Sequence, residues 1–154
     1  MIPEQVKEVL DKHNLKAIVF EPGSTPTVEK AAEKLGVTNG QIAKSLMFKG
    51  KDDSYVMVVC AGDRKVSSSK LKQVTGIKMS MASAKEINNQ TGFLPGGVCP
   101  FGISDIPIIL DKSLHDYELV YPAAGTDSSG IPVTPDKLFE ITAGTFHEVT
   151  VPIT

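Results

Sequence analysis

The sequence has little cysteine, few aromatic residues and no long apolar run. It contains two cysteines, Cys60 and Cys99, and no tryptophan in 154 residues. Two cysteines cannot form a disulfide framework, and neither has a second cysteine or a histidine at metal-ligand spacing, so no zinc site is predicted. No apolar stretch is long enough for a transmembrane helix, and the N-terminus lacks a signal-peptide pattern. We therefore expect a cytoplasmic protein with no membrane association and no metal or cofactor.

An excess of positive charge is also missing. Lys and Arg number 16 against 18 Asp and Glu, which gives a formal net charge of −2. Proteins that grip a DNA duplex along a long face need clustered basic residues, so we expect no DNA partner. A short single-stranded RNA end presents few phosphates, and the charge balance still allows such a partner.

What remains is the composition of one ordinary globular domain spanning residues 1–154, with 41% apolar and 22% charged residues. Cap residues and periodicity predict helices at 6–10, 27–35, from 68 or 69 to 76, from 83 to 91 and after Thr134-Pro135. Strands are predicted at 15–20, 42–48, 54–60, 106–110, 119–121, 131–133 and 146–151. Without a regular βαβ alternation, this order predicts an α/β fold of the α+β kind, a mixed and largely antiparallel sheet flanked by helices.

Lys44 is the first candidate for chemistry. In a strand over 42–48, period-two alternation places its side chain on the same face as Leu46 and Phe48. A lysine among apolar neighbours is costly to bury, so such a residue is usually paired, extended toward water or functional. The alternative is that the strand twists, or that Lys44 lies at its exposed end.

A glycine-rich and proline-rich segment at 92–102 is the second candidate. Four glycines and two prolines in eleven residues exclude a regular element. Its backbone N–H groups could hold a terminal adenosine or stabilise the oxyanion of an attacked ester, or the segment could be a tight structural turn. Cys99 within it is a weaker candidate nucleophile, because no histidine is near it in sequence. The loop 125–130 is better explained as a turn.

The order of these segments resembles the YbaK/EbsC family, which includes the editing domain inserted in bacterial prolyl-tRNA synthetase. The resemblance spans nearly the whole chain and is carried by four stretches. They are the helix opened by Thr-Val-Glu at 27–29, Ile-Ala-Lys-Ser-Leu-Met-Phe at 42–48, Val-Met-Val-Val at 56–59 with Ala-Gly-Asp-Arg at 61–64, and Thr-Gly at 91–92 with Gly-Gly-Val-Cys-Pro-Phe-Gly at 96–102. Lys44 and the Gly-x-x-x-Pro loop from Gly96 to Pro100 are its most specific parts.

The resemblance implies a freestanding hydrolase that removes a wrong amino acid from a mischarged tRNA in trans, with tRNA(Pro) as the expected tRNA. It implies that Lys44 is important for activity, that the loop positions the tRNA acceptor end, and that no side-chain nucleophile is used. An aminoacyl-tRNA synthetase is a further implied partner. The implied site residues are Lys44, Gly96, Gly97, Val98, Pro100 and Phe101, followed by Phe20 and Asp127.

Two departures bear on specificity. The branch of the family that removes cysteine from prolyl-tRNA carries a tyrosine where this chain has Phe20, and an acidic residue near Gly130, where the closest carboxylate here is Asp127. Cysteine specificity is therefore not implied. A noncatalytic module that binds a nucleotide, an amino acid or a tRNA end stays open as the alternative function.

Overall fold

The structure is a computed structural model that describes residues 1–153. Its helices are α1 (Glu4–Lys12), α2 (Val28–Leu35), α3 (Ser68–Thr75), α4 (Ala84–Thr91) and α5 (Pro135–Thr142), with short 3-10 helices at Asn39–Gln41 and Lys112–Asp116. Its strands are β1 (Ile18–Val19), β2 (Ala43–Gly50), β3 (Tyr55–Ala61), β4 (Arg64–Val66), β5 (Met79–Met81), β6 (Ile108–Asp111), β7 (Ser129–Gly130), β8 (Thr145–His147) and β9 (Thr150–Pro152).

Five strands form a central mixed sheet in the order β5-β2-β3-β6-β8. Strand β2 runs antiparallel to both β3 and β5, whereas β3–β6 and β6–β8 are parallel pairs. Two small antiparallel sheets, β1–β7 and β4–β9, lie beside it. The predicted mixed α/β architecture is confirmed, and four of the six strand pairings are antiparallel.

The helix boundaries follow from cap chemistry. The Thr27 side chain accepts a hydrogen bond from the backbone N–H of Lys30, and α2 ends at Gly36 in the left-handed conformation. Ser83 and Glu86 form the predicted capping box that opens α4. The cap predicted at Ser68 or Ser69 is wrong by one position, because Ser67 accepts from the N–H of Lys70 at 3.3 Å.

The strand predictions differ more from the structure. The strand expected over 15–20 is reduced to β1, because its partner β7 has only two residues to pair with. The segments 119–121 and 131–133 form only isolated bridges, Val120 to Val133 and Tyr121 to Ile42. Residues 146–151 divide into β8 and β9, which pair with different strands. The short strands β4 and β5 have too few residues to leave a periodic signal.

The hydrophobic core lies on both faces of the central sheet. One cluster packs β3 residues Met57 and Val59 against α1, α5 and the buried Phe93 and Phe101. The opposite cluster packs the alternate residues of β3 against α3. Because β3 is buried on both faces, its sequence is a continuous apolar run. None of the helices within residues 1–153 combines the length and apolar character needed to cross a membrane.

Candidate functional site

A cleft of about 280 Å³ lies beside the first half of β2. Helix α2 forms one wall, β2 residues 43–46 form the floor, and Gly96 and Val98 close another side with Tyr121, Ala123 and Ser129. The lining is mainly apolar, with hydroxyl groups from Thr25, Ser45 and Ser129. A half-enclosed apolar cleft with a few polar groups is the usual form of a small-ligand site.

Among residues 1–153, Lys44 supplies the only charge in the lining of this cleft. Its side chain is half-buried, and its Nζ donates a hydrogen bond to the carbonyl oxygen of Gly62 at 3.4 Å. Within residues 1–153 it makes no ion pair with a carboxylate. An ammonium group without a counter-ion in a partly desolvated cleft attracts a ligand that carries or develops negative charge.

The loop opposite Lys44 is a tight turn with a defined geometry. The backbone N–H of Gly97 donates to the carbonyl of Leu94 at 3.0 Å, and Gly96 has a φ of +87°. Pro at the second position and a positive φ at the third are the features of a type II turn. A Cβ on Gly97 would lie 2.9 Å from Cα of Thr126, so only glycine allows this close approach. The turn therefore holds Gly96 and Val98 toward the cleft.

The structure brings only some of the predicted site residues together. Lys44, Gly96 and Val98 line one cleft. Gly97 and Pro100 are buried and do not line it, because Gly97 packs on the 125–126 backbone and the chain turns inward after Val98. Phe101 is 1% exposed and belongs to the main core cluster.

The two weaker candidates, Asp127 and Phe20, form hydrogen bonds that hold segments next to the cleft. Asp127 accepts a hydrogen bond from the N–H of Gly23 on Oδ1, and its carbonyl accepts from the N–H of Thr25. The N–H of Phe20 donates to the carbonyl of Ser128 at 2.8 Å. These contacts fix the segment that carries Thr25, and neither Asp127 nor Phe20 lines the cleft.

Several lining residues were missed by the sequence analysis. Ser45 follows Lys44 directly, but the alternation of side chains along the strand singled out only Lys44 and the other residues on its face. Tyr121 and Ser129 come from distant segments with no distinctive motif. The hydroxyl of Ser129 is used within the fold, because it accepts from the N–H of Ala124 at 3.0 Å. No signal in a single sequence would have identified these residues.

A thiol mechanism is not supported. Cys60 and Cys99 are both buried, and burial raises the pKa of each thiol to about 12, which leaves almost no thiolate at neutral pH. Neither cysteine lines the cleft, and no histidine, aspartate or glutamate does so. The structure therefore does not support Cys99 as a nucleophile. Elsewhere in the described part of the chain, no group of three His, Cys, Asp or Glu side chains could hold a metal ion.

Comparison with known proteins identifies relatives. The family model described as the aminoacyl-tRNA editing domain matches residues 22–141. The uncharacterized protein YwhH of Bacillus subtilis is 46% identical over 118 residues, which cover 76% of this chain and 75% of YwhH. EbsC of Enterococcus faecalis, named as a candidate deacylase of Cys-tRNA(Pro) and Cys-tRNA(Cys), is 29% identical over 80% of this chain and 77% of EbsC. A proline–tRNA ligase of Thermosipho melanesiensis is 37% identical over 70% of this chain, which corresponds to 19% of the ligase.

Solved structures match over almost the whole chain. A candidate trans-editing enzyme for prolyl-tRNA synthetase has a TM-score of 0.88 at 28% identity, covering 98% of this chain and 99% of that one. The hypothetical protein APE2540 has a TM-score of 0.89 at 26% identity, covering 96% of this chain and 100% of that one. The fold described above is therefore the fold of these proteins.

Proposed function

The chain belongs to the aminoacyl-tRNA editing domain family, and we propose that it hydrolyses the ester bond of a mischarged tRNA. The observation that carries this proposal is that Lys44 lines one cleft together with Gly96 and Val98. An aminoacyl ester joins the carbonyl group of an amino acid to a ribose oxygen, so it offers an amino-acid side chain, a polar ribose and an electrophilic carbonyl carbon to such a cleft.

The proposed chemistry is attack by water on the ester carbonyl. The water oxygen bonds to the carbonyl carbon and the carbonyl oxygen becomes an oxyanion. The bond between that carbon and the ribose oxygen then breaks, and one proton of the water passes to the ribose oxygen, which leaves a free amino acid and a ribose hydroxyl. The ammonium of Lys44 and the backbone N–H groups of Gly96 and Val98 stabilise the developing negative charge in a site largely removed from bulk water. Removing one such donor commonly costs roughly 10²–10³ in rate.

We further propose tRNA(Pro) as the tRNA that is served and action in trans as the mode. The names of EbsC, of the ligases and of the trans-editing enzyme all connect this family to proline tRNA or its synthetase. The match that covers 99% of the trans-editing enzyme supports a domain that works apart from the ligase. The acceptor end is the part of the tRNA that reaches the cleft.

A deacylation screen tests the proposal. Purified protein is incubated with tRNA(Pro) charged with proline, alanine, serine or cysteine, and release of each amino acid is followed over time. We expect release of at least one noncognate amino acid and a strong loss of that activity in Lys44→Ala. Binding of the charged tRNA without any turnover would instead support the noncatalytic binding module.

A further inference from the structure

Strand β2 has an open edge where it lines the cleft. On one side β2 pairs with β3 along its whole length. On the other side it pairs with β5 only over residues 48–50, and it meets Tyr121 only at its first residues. Between these two contacts no strand pairs with this edge, and Ser45 lies in the middle of the gap.

The backbone groups of Ser45 point out of this gap. The N–H of Ala43 donates to the carbonyl of Tyr121 at 3.2 Å, and the carbonyl of Met47 accepts from the N–H of Ala82 at 2.9 Å. In a strand, the main-chain groups of alternate residues point to the same side. Ala43 and Met47 each lie two residues from Ser45, and their groups point away from β3. The N–H and C=O of Ser45 therefore also point away from β3 and toward the cleft.

The side chain of Ser45 is unpartnered as well. Among residues 1–153, its Oγ is the one buried side-chain oxygen or nitrogen without a hydrogen-bond partner. Buried polar groups in folded proteins are almost always paired, and each exception calls for an explanation. Three other hydroxyls of the cleft lining have partners: Thr25 Oγ1 accepts from the N–H of Ser129 at 3.2 Å, Thr27 Oγ1 from the N–H of Lys30 at 3.3 Å, and Ser129 Oγ from the N–H of Ala124 at 3.0 Å.

We propose that Ser45 is a specificity-determining residue whose hydroxyl forms a hydrogen bond with a hydroxyl on the side chain of the amino acid that is removed. The favoured substrate is then a small hydroxylated amino acid, with serine first. This inference rests on the proposed deacylase function and names the substrate class of the same cleft.

The position of Ser45 assigns its hydroxyl to the side chain of the amino acid. The tRNA lies outside the protein, so its ribose and ester occupy the mouth of the cleft and the amino-acid side chain reaches furthest in. Ser45 Oγ is buried, and the lining of the same cleft includes Ala43 and the apolar α2 residues Val28, Ala31 and Leu35. The outward-pointing N–H and C=O of Ser45 are available to bind the main-chain atoms of the amino acid, which every aminoacyl ester shares. The hydroxyl of Ser45 is then left to bind the amino-acid side chain, which differs from one ester to another.

The charge of the cleft excludes the α-amino group as the partner of this hydroxyl. An ammonium group held deep in an apolar pocket needs a carboxylate, and the lining contains none. The only ionised group there is the cation of Lys44, which repels a second one. A neutral hydroxyl fits these surroundings, and it is a better hydrogen-bonding group than the thiol of cysteine.

The experiment compares the hydrolysis of seryl and alanyl esters carried by the same tRNA(Pro). The wild-type protein is expected to release serine about tenfold faster than alanine, which is the worth of one hydrogen bond. Ser45→Ala should remove that preference by lowering the ratio of serine release to alanine release about tenfold, to near one. Ser80→Ala, at an exposed serine of β5, is the matched control and should leave both rates unchanged.

Three results would overturn the inference while leaving the deacylase function in place: a wild-type preference for alanine, an equal loss of both activities in Ser45→Ala, and no loss of either. An equal loss would place the hydroxyl on the ribose or on another shared part of the ester.

If the wild-type protein releases no amino acid, the proposed function fails and binding decides the inference. Calorimetry with nonhydrolysable 3′-amide analogues of seryl- and alanyl-adenosine then compares the two variants. A seryl preference that disappears in Ser45→Ala supports the assignment, and equal affinity for both analogues contradicts it.

Discussion

Strand β2 carries a lysine near each end, and the two lysines have opposite surroundings. Lys49 Nζ lies 2.8 Å from Glu86 and 3.6 Å from Asp53, and it also faces the ring of Tyr55. Its hydrogen bond and charge interaction with Glu86 raise its pKa. Lys44 contacts one backbone carbonyl, that of Gly62, and no acidic side chain within the described chain.

The difference separates a structural cation from one that can serve a ligand. The charge of Lys49 is already neutralised by its neighbours, so its contribution is to join the β2–β3 turn to α4. The charge of Lys44 is held in place by a neutral carbonyl, and its field extends into the cleft. The same residue type on the same strand therefore has two uses, which are set by what packs beside it.

Replacing each lysine by alanine is the most direct test of this comparison. Lys44→Ala should lower the deacylation rate by about 100-fold, because one transition-state donor is lost. Lys49→Ala should leave the rate unchanged and lower the melting temperature slightly. Rates and thermal unfolding curves are measured on both proteins, and equal rates for the two variants would contradict the distinction.

A second test concerns the wall that faces Lys44. Gly96→Ala places a methyl group on a residue with φ of +87°, 3.4 Å from the backbone of Pro26, so we expect about a tenfold loss of activity and about 1 kcal/mol of destabilisation. Gly76→Ala, at a helix end with φ of +81° and no neighbour within 4 Å, is the matched control. It should show the same destabilisation in urea with full activity. A similar activity loss in both variants would indicate general strain.

The ion pair at the other end of β2 predicts a pH dependence. The hydrogen bond from Lys49, together with the N–H of Ser83, lowers the pKa of Glu86 from 4.5 to about 2. A lowered pKa in the folded state stabilises the protein above about pH 4.5, and this stabilisation is lost as the pH falls toward 2. Glu86→Gln keeps the capping box but removes the charge, so the stability difference from wild type should shrink over that range. A difference independent of pH would contradict this origin.

The smallest effect is expected at the loop cysteine. Cys99 is fully buried and its pKa is raised to about 12, so Cys99→Ala should change the deacylation rate by less than about twofold. The loop would then act through its backbone, in line with the role given to Gly96. A large loss in deacylation rate without a loss in stability would indicate that the Cys99 thiol takes part in the reaction.

The helix boundaries could be predicted from the sequence because they depend on residues that are adjacent in the chain. Thr27, Ser83 and Gly92 act on backbone groups within one turn, and the structure uses all three as caps. The Leu-Pro-Gly-Gly turn and the anomaly of Lys44 are equally local. The family resemblance added the order of these parts, and the matching family model confirms it.

The shorter strands could not be predicted, because each exists only through its partner. The segment 146–151 has one continuous pattern, yet Thr145–His147 pairs with β6 and Thr150–Pro152 pairs with β4. Packing between distant segments also decides that Phe101 lies in the core. It likewise decides that Asp127 hydrogen-bonds to Gly23 and does not line the cleft.

The sequence by itself determined the helix ends, the turn at residues 94–97 and the presence of an unusual lysine in an apolar strand, since these follow from local backbone chemistry. Only the tertiary structure decided that Lys44, Ser45 and the turn share one cleft. Their meeting depends on where β5 stops pairing with β2 and on how closely Gly97 approaches residues 125–126. Contacts of this kind join residues that are far apart in the chain, and no local pattern encodes them.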